Sequence, residues 1–189
     1  MPLTIWTIGH STRTLDEFLE ALDAYKIELV ADVRSFPGSR RLPQFGSAEL
    51  EKSLVVHGIA YRWIPALGGR RKVSPDSPNT GWRHPAFRGY ADHVSTEEFA
   101  EGLFELLNVA NGLRTAVMCA EVLWWRCHRR IISDVLVSMG IEVIHIRDAS
   151  HSEKHSLTLP GRMKDGELTY EDDTQLGLGL DLDVPRDSR

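Results

Sequence analysis

The fold of this chain is constrained most by a regular alternation of short apolar runs with amphipathic segments. Five of the runs are rich in β-branched and apolar residues and have the length of β-strands. They occupy residues 4–8, 29–33, 59–64, 115–119 and 141–146. Strands that are apolar on both faces and alternate with helices are typical of a mainly parallel sheet covered on both sides. The sequence therefore predicts an α/β fold, a three-layer sandwich around a mainly parallel sheet of about five strands.

Local signals predict where helices and turns begin and end. Residues 14–17 and 95–98 have the Ser/Thr-x-x-Glu spacing of capping boxes, and each predicts a helix start. Gly140 suits the end of a helix that begins near residue 126, because glycine adopts positive φ without strain. The Asp-Gly pair at residues 165–166 predicts a turn, and with it a small C-terminal hairpin within residues 157–170.

Length and composition predict one domain over residues 1–174 and a flexible acidic tail over residues 175–189. The chain has 189 residues, of which 42% are apolar and 26% charged, and these values are ordinary for a globular domain. No apolar run approaches the roughly 18 residues of a membrane span, and the N-terminus lacks the pattern of a signal peptide. Two cysteines cannot form a disulfide framework. We therefore expect a cytoplasmic protein with no membrane contact.

Charge is distributed unevenly along the chain. The net charge is -5, yet ten basic and only three acidic residues lie between residues 34 and 90. A basic middle in an acidic chain favours an anionic ligand bound at one place. Two long connections in this segment, residues 35–46 and 65–86, are rich in Pro, Gly, Ser and Arg, and loops of this length are often functional.

Reactive side chains follow several of the predicted strands. The strand ends lead into His10 and Ser11, into Arg34, and into Cys119 and Glu121. Ligands of open parallel sheets bind beyond the carboxyl ends of the strands, so these residues are expected at one edge. His10 and Glu121 can transfer protons, and a helix dipole with nearby arginines can turn Cys119 into a nucleophile. The same residue types equally suit a buried histidine, a helix-capping carboxylate and a core cysteine.

Arginines are the side chains best suited to phosphate, because the forked guanidinium can donate two hydrogen bonds to it. The candidate ligand-binding residues are Ser11, Arg34, Arg40, Arg41, Arg70, Arg71, His128 and Arg129. Aromatic rings that can stack on bases lie among them. The aromatic candidates are Phe36, Phe45, Trp63, Trp82 and Phe87, although Trp63 is more simply expected in the core. Together these residues predict a phosphate-bearing ligand, with nucleic acid or a nucleotide as the leading choice.

The two cysteines match neither of two well-known patterns. A Cys-x5-Arg phosphatase loop is absent, since Trp125 stands six residues after Cys119 and Arg126 comes one place too late. Cys119, Cys127 and His128 offer zinc ligands, but their spacing lacks the Cys-x2-Cys pairs of structural zinc sites. No metal and no cofactor are therefore predicted, and zinc at these three residues is the alternative.

The tail carries a separate signal. Gln175, Leu176, Leu178 and Leu180 match every specified position of the hexapeptide form of the bacterial sliding-clamp-binding motif, Gln-Leu-x-Leu-x-Leu. Alternating leucines in a flexible segment suit an extended peptide that places side chains in a partner's pockets. The alternative is an edge strand of the protein itself.

Six motifs, taken in order, resemble a known family. They are Thr7-Ile8-Gly9-His10-Ser11, Asp32-Val33-Arg34, Pro37-x-Ser39-Arg40, Leu67-Gly68-Gly69, Cys119-Ala120-Glu121 and Cys127-His128-Arg129. The chain is similar in this way to the bacterial domain-of-unknown-function family four-eight-eight. The resemblance implies that the family's motif positions are His10, Arg34, Arg40, Cys119, Glu121, Cys127, His128 and Arg129. Residues 122–125 replace the polar, proline-containing link usual in the family, which predicts an apolar mouth with two exposed tryptophans.

Three functions fit these observations. The first is an enzyme, a hydrolase or transferase, that acts on a phosphate-bearing ligand, with a role in DNA repair or processing. The second is a noncatalytic DNA-recognition module that the tail recruits to the sliding clamp. The third is a cysteine-based redox or sulfur-handling protein.

Overall fold

The computed structural model describes residues 3–38 and 40–172. Within these ranges the main sheet has six strands. They are β1 (Thr4–Gly9), β2 (Leu29–Asp32), β3 (Ala60–Trp63), β4 (Thr115–Cys119), β5 (Glu142–Ile146) and β6 (Ser152–Lys154). Their order is β3-β2-β4-β1-β5-β6, with β1 to β5 parallel and β6 antiparallel to β5. The predicted α/β fold and its mainly parallel sheet are confirmed, and the short edge strand β6 is an addition.

Five helices cover the two faces of the sheet in the described part of the chain. They are α1 (Leu15–Ala24), α2 (Ser47–Val56), α3 (Pro85–Val94), α4 (Glu97–Ala110) and α5 (Arg129–Ser138). Helix α3 was not predicted. Its middle residue, Gly89, weakens the helical pattern but lets the helix approach the loop before it, because a Cβ there would lie 2.5 Å from the Arg71 carbonyl oxygen.

The apolar side chains form two cores, one on each face of the sheet. Helices α1 and α2 bury Phe18, Leu22 and Leu50 against Ile8 and Met118. Helices α3, α4 and α5 pack on the opposite face. The large side chains buried there include Tyr90, Phe99, Leu106, Ile131 and Leu136. Because side chains alternate along a strand, neighbouring residues at the end of β4 point to different cores.

The predicted helix ends are confirmed with two adjustments. Thr14 and Glu17 form the expected reciprocal capping box of α1. Helix α4 is capped by Thr96 rather than by Ser95, because it is the Thr96 hydroxyl that accepts from the amide of Phe99. The helix predicted from residue 126 begins three residues later, since Trp124–Arg126 forms a separate 3-10 turn.

The predicted C-terminal hairpin is present. Strands β7 (Arg162–Lys164) and β8 (Glu167–Thr169) pair antiparallel. The two residues between them, Asp165 and Gly166, have φ values of 51° and 87°. Positive φ at both central positions is what a two-residue hairpin turn with the right-handed twist of the strands requires.

The tail motif formed by Gln175, Leu176, Leu178 and Leu180 lies outside the described residues, as does Ser39. Among the described helices, none combines the length and the apolar content that crossing a bilayer demands.

Gly9 is the point at which β1 meets the loop that follows β4. The His10 amide donates to the Cys119 carbonyl oxygen at 3.1 Å, and the Ser11 amide donates to the Ala120 carbonyl oxygen at 2.7 Å. A Cβ on Gly9 would overlap the carbonyl group of Glu121. Only glycine therefore allows this close approach.

Gly9→Ala should lower the free energy of unfolding by about 2 kcal/mol or more, because two backbones must separate. Urea unfolding measures the change. Gly112→Ala is the matched control, since a Cβ there meets nothing within 4 Å and should change stability by less than about 0.5 kcal/mol. Equal stability of the two variants would contradict the close packing at Gly9.

Candidate functional site

The register of the parallel strands brings three chain segments together. Cys119, the last residue of β4, is paired with Gly9 of β1, and Met118 is paired with Asp32 of β2. Strand β4 lies between β1 and β2, so the residues that follow all three strands meet at one edge. His10, Arg34 and Cys119 are neighbours for this reason.

A cleft with two lobes opens at this edge of the sheet. The first lobe has a volume of about 210 Å³, and its lining includes Arg34, Ser35 and Phe36. The second has a volume of about 440 Å³ and is bordered by helix α3 and the loop before α5. The two lobes share Gly69, Arg70, Cys119 and His128. We refer to this space as the cleft.

The floor of the cleft holds two cysteines and one histidine, Cys119, Cys127 and His128, which we call the thiol cluster. The His128 Nδ1 atom lies 4.0 Å from the Cys119 Sγ atom and 3.6 Å from the Cys127 Sγ atom. The three donor atoms all lie within 4.8 Å of one another. The His128 Nε2 atom lies 3.1 Å from the Val33 carbonyl oxygen, which fixes the orientation of the ring.

The two thiols influence each other's ionisation. A hydrogen bond with Cys119 lowers the pKa of Cys127, and His128 and Arg129 lower it further. The same hydrogen bond, together with burial, raises the pKa of Cys119. Two thiolates in contact would repel, so one of the pair ionises in preference to the other.

Arg129 anchors the loop that carries the thiol cluster. Its side chain is 1% exposed. One terminal nitrogen donates to the Thr7 hydroxyl of β1 at 3.1 Å, and the other donates to the carbonyl oxygens of Glu121 and Val122. Arg129 therefore holds the chain between Cys119 and Cys127 against β1, and its guanidinium serves that purpose rather than lining the cleft.

Arg34 and His10 form a buried unit with Asp32. Arg34 donates to both carboxylate oxygens of Asp32, at 2.5 to 3.1 Å, and to the Phe45 carbonyl oxygen at 2.8 Å. The His10 Nε2 atom lies 3.2 Å from an Arg34 terminal nitrogen, and Nδ1 lies 3.0 Å from the Ser11 carbonyl oxygen. Both ring nitrogens of His10 thus have protein partners. Proton transfer by His10 stays a prediction, and the geometry gives it the role of positioning Arg34.

A second buried polar network lies behind the cleft and was missed in the sequence. The Thr7 hydroxyl, which accepts from Arg129, lies 2.7 Å from His145 Nδ1. His145 Nε2 is 2.9 Å from His155 Nδ1, and His155 Nε2 is 2.9 Å from an Asp134 carboxylate oxygen. Hydrogen bonds thus connect a buried guanidinium to a buried carboxylate across β1 and β5. In the sequence, His145 stands in an apolar strand and Asp134 within a helix, and neither position indicates that the two residues are connected.

The remaining arginine candidates separate into two kinds. Arg70 borders both lobes, and its guanidinium carbon lies 5.7 Å from the centre of the Phe36 ring. Arg71 instead pairs with Glu98 and donates to two backbone carbonyls, so it stabilises the loop. Arg40 and Arg41 are exposed and lie outside the lining of the cleft. Arg126, which is not among the predicted ligand-binding residues, borders the second lobe.

The other candidates and the expected apolar mouth are placed as follows. Glu121 is exposed and borders the second lobe. The backbone φ of Ser11 is 42°, and its carbonyl oxygen lies 3.0 Å from the Nδ1 atom of His10. The pair of exposed tryptophans is half confirmed, because Trp125 lies exposed at the second lobe, whereas Trp124 stacks on His145 at 4.2 Å between ring centres.

Three expectations for aromatic residues were wrong. Phe45 and Trp82 are buried, Phe45 because it stacks on His10 and Trp82 because it packs against α3 and Tyr170. Trp63 is 43% exposed instead of lying in the core, since it is in the edge strand β3.

A larger cavity of about 540 Å³ lies at the opposite edge of the sheet, at the amino ends of the strands. Its charged groups already have partners. Arg114 covers the Trp6 ring at 4.2 Å and donates to the Tyr25 carbonyl oxygen, and Glu142 pairs with Lys154. The cleft, which has exposed arginine side chains and two thiols in its lining, is therefore the candidate site.

The buried position of His10 makes stability depend on pH. Burial lowers its pKa from 6.5 to about 4, with a further contribution from Arg34. The unfolded chain binds this proton near pH 6.5 and the folded chain only near pH 4, so the free energy of unfolding should fall as pH drops between these values. Urea unfolding at about pH 7.5 and about pH 5 measures how far the free energy of unfolding falls. This fall should be smaller in His10→Gln than in the wild type by on the order of 1 kcal/mol, because the variant lacks the titrating group. An identical pH dependence in the variant and the wild type would contradict this.

Comparison with known proteins supports the relationship inferred from the motifs. A family profile described as "Domain of unknown function DUF488" matches residues 14–136. Neither a search of curated proteins nor a search of solved structures finds a match. The matched segment covers more than half of the chain and includes Arg34, Arg70 and the whole thiol cluster. The chain therefore belongs to the DUF488 family.

Proposed function

We propose that the protein binds a phosphate-bearing ligand, a nucleotide or nucleic acid, in the cleft. The observation that carries the proposal is the position of Arg70, whose exposed side chain borders both lobes, as Cys119 and His128 do. Arg126 adds a second exposed guanidinium at the second lobe. Among the described residues that border either lobe, Glu121 is the single acidic one. An anion is therefore the ligand that this lining favours.

The backbone conformation of Arg70 supports a role for this residue in ligand binding. Arg70 has a φ of 63°, in the left-handed region that glycine adopts freely and other residues adopt at a cost of about 1 kcal/mol. Gly69 stands directly before it. Residues other than glycine in this conformation cluster at ligand-binding sites, where the surrounding structure maintains the strain.

Aromatic rings beside the arginines favour a nucleotide over a simple phosphate. Phe36 is 72% exposed at the first lobe, close to the Arg70 guanidinium. Phe87 and Trp125 border the second lobe. Exposed rings next to guanidinium groups are the combination that stacks on bases while phosphates are bound.

The thiol cluster favours a catalytic form of this proposal, hydrolysis or group transfer, over binding alone. Cys119 and His128 border both lobes, so a ligand held by Arg70 lies next to them. Glu121 borders the same lobe and can transfer a proton, whereas His10 acts through Arg34. In a catalytic protein, Cys119→Ser would lose turnover of the ligand while the ligand still binds.

Arg70→Gly tests the proposal. It should weaken binding of the ligand at least about tenfold, because a charge-assisted hydrogen bond contributes about 1.5–3 kcal/mol. It should leave the free energy of unfolding unchanged or raise it, because glycine relieves the left-handed strain. Isothermal titration calorimetry with inorganic phosphate, a nucleoside monophosphate and a single-stranded oligonucleotide measures affinity, and urea unfolding measures stability.

Lys26→Gly is the matched control for this experiment. Lys26 is also a cation with positive φ, 53°, but it follows α1 and lies outside the lining of the cleft. It should leave the affinities unchanged. The proposal fails when the wild type binds none of the three probes, or when the two variants weaken binding equally.

A second candidate function rests on the sequence of residues 175–180 alone. We propose that this segment binds the bacterial sliding clamp and recruits the protein to DNA in the cytoplasm, in repair or processing. A chain truncated after residue 174 should lose clamp binding in a pull-down, whereas a chain with all four motif residues should retain it. Clamp binding by the truncated chain would end this proposal.

The third candidate, redox or sulfur chemistry, is favoured by the contact between the two thiols. It differs from the phosphate proposal in requiring that the Cys119 thiol itself reacts.

A further inference from the structure

The thiol cluster has the donor atoms and the spacing of a metal site. We propose that Cys119, Cys127 and His128 bind a Zn²⁺ ion with three protein ligands and a fourth position open to the cleft. The donor set is two sulfur atoms and one imidazole nitrogen, which is the chemistry that Zn²⁺ prefers. Mg²⁺ and Ca²⁺ prefer oxygen ligands, and the cluster supplies none.

The distances match tetrahedral coordination. Zinc–sulfur bonds of about 2.3 Å and zinc–nitrogen bonds of about 2.0–2.1 Å separate neighbouring ligand atoms by about 3.5–3.8 Å in a tetrahedron. The His128 Nδ1 atom lies 3.6 Å from Cys127 Sγ and 4.0 Å from Cys119 Sγ. These two nitrogen–sulfur distances lie within about 0.5 Å of the tetrahedral values, and the two sulfur atoms lie within 4.8 Å of each other.

The groups around the ligands hold them in the required state. The His128 Nε2 atom faces the Val33 carbonyl oxygen at 3.1 Å, so its proton is on Nε2 and the Nδ1 lone pair is directed at the two sulfur atoms. A metal-binding histidine usually donates its other N–H to a carbonyl or carboxylate in this way.

The chain holds the three ligands on rigid elements. Cys119 ends β4, and Cys127 and His128 immediately precede α5. Arg129 fixes the connection between them through Thr7 and two carbonyl oxygens. Two thiolates and one Zn²⁺ ion form a neutral unit, which can lie buried at small electrostatic cost.

The spacing of eight residues between the cysteines argues against a structural zinc site with four protein ligands, but not against this one. Zinc sites with three protein ligands leave one position for water or substrate. Cys119 and His128 border both lobes, so that position faces the cleft. The identity of the fourth ligand rests on the proposed function, and it would be a phosphoryl oxygen or a water molecule next to it. The three protein ligands do not depend on that function.

Metal analysis of the full chain, purified under reducing conditions without chelators, tests the site. The wild type should contain about one zinc ion per chain, and Cys127→Ser and His128→Gln should each contain less than about a tenth of that. His57→Gln is the matched control and should retain the zinc, because His57 is exposed at the end of α2. Urea unfolding shows which variants are folded.

Cobalt substitution gives a readout that needs no variant. The wild type loaded with Co²⁺ should show the thiolate-to-cobalt charge-transfer absorption and the intense visible bands of a tetrahedral site. The proposal is overturned by a reduced wild type that takes up neither Zn²⁺ nor Co²⁺. It is also overturned by a chain in which a Cys119–Cys127 disulfide forms in the presence of excess Zn²⁺.

The same samples separate this proposal from the proposed function. Zinc-loaded and zinc-stripped wild type are titrated with inorganic phosphate, a nucleoside monophosphate and a single-stranded oligonucleotide. Stoichiometric zinc without binding of any of these three probes supports the metal site and contradicts the proposed function. Nucleotide binding by a chain that takes up no zinc supports the proposed function and contradicts the metal site.

Discussion

The structure depends on one buried guanidinium. Arg129 is almost completely buried, and its hydrogen bonds join the first turn of α5 to β1 and to the loop after β4. A buried charge that loses its partners typically costs about 3–5 kcal/mol, so the loop has no low-energy alternative position. The thiol cluster lies at the two ends of this loop, and its geometry follows from that constraint.

The same guanidinium links the site to the interior of the protein. Through Thr7 it joins His145, His155 and Asp134, all of which are buried. Asp134 lies on the same helix as Arg129, so the network fixes two successive turns of α5 to the sheet. Hydrogen-bonded polar groups in a core favour one arrangement over others, and here that arrangement orients Cys127 and His128.

The sequence was sufficient to predict the sheet and the edge at which the candidate site lies. Apolar runs with few polar residues identify strands that are buried on both faces, and Thr14, Gly140 and the Asp165-Gly166 turn behaved as their local chemistry requires. The placement of His10, Arg34 and Cys119 at one edge followed from the general rule for parallel strands. Strand order was not accessible, because β4 inserts between β1 and β2 through contacts between distant parts of the chain.

Individual side-chain roles were harder to predict because they depend on neighbours from other elements. Nothing near Arg34 in the sequence indicates that Phe45 and His10 will occupy its remaining donors. Arg70 and Arg71 are adjacent and chemically identical. Arg71 nevertheless pairs with Glu98 of α4, whereas Arg70 borders the cleft. The thiol cluster likewise joins three residues that the sequence offers as zinc ligands, although their spacing lacks the Cys-x2-Cys pairs of structural zinc sites.

The central claim is that this edge of the sheet is one site, with arginines at its mouth and the thiol cluster on its floor. A crystal structure of the full chain with a bound nucleoside monophosphate tests it most directly. We predict that the phosphate lies within hydrogen-bonding distance of Arg70 or Arg126 and directly above Cys119 and His128. A nucleotide bound instead in the cavity beside Trp6 and Arg114, at the opposite edge of the sheet, would contradict the account.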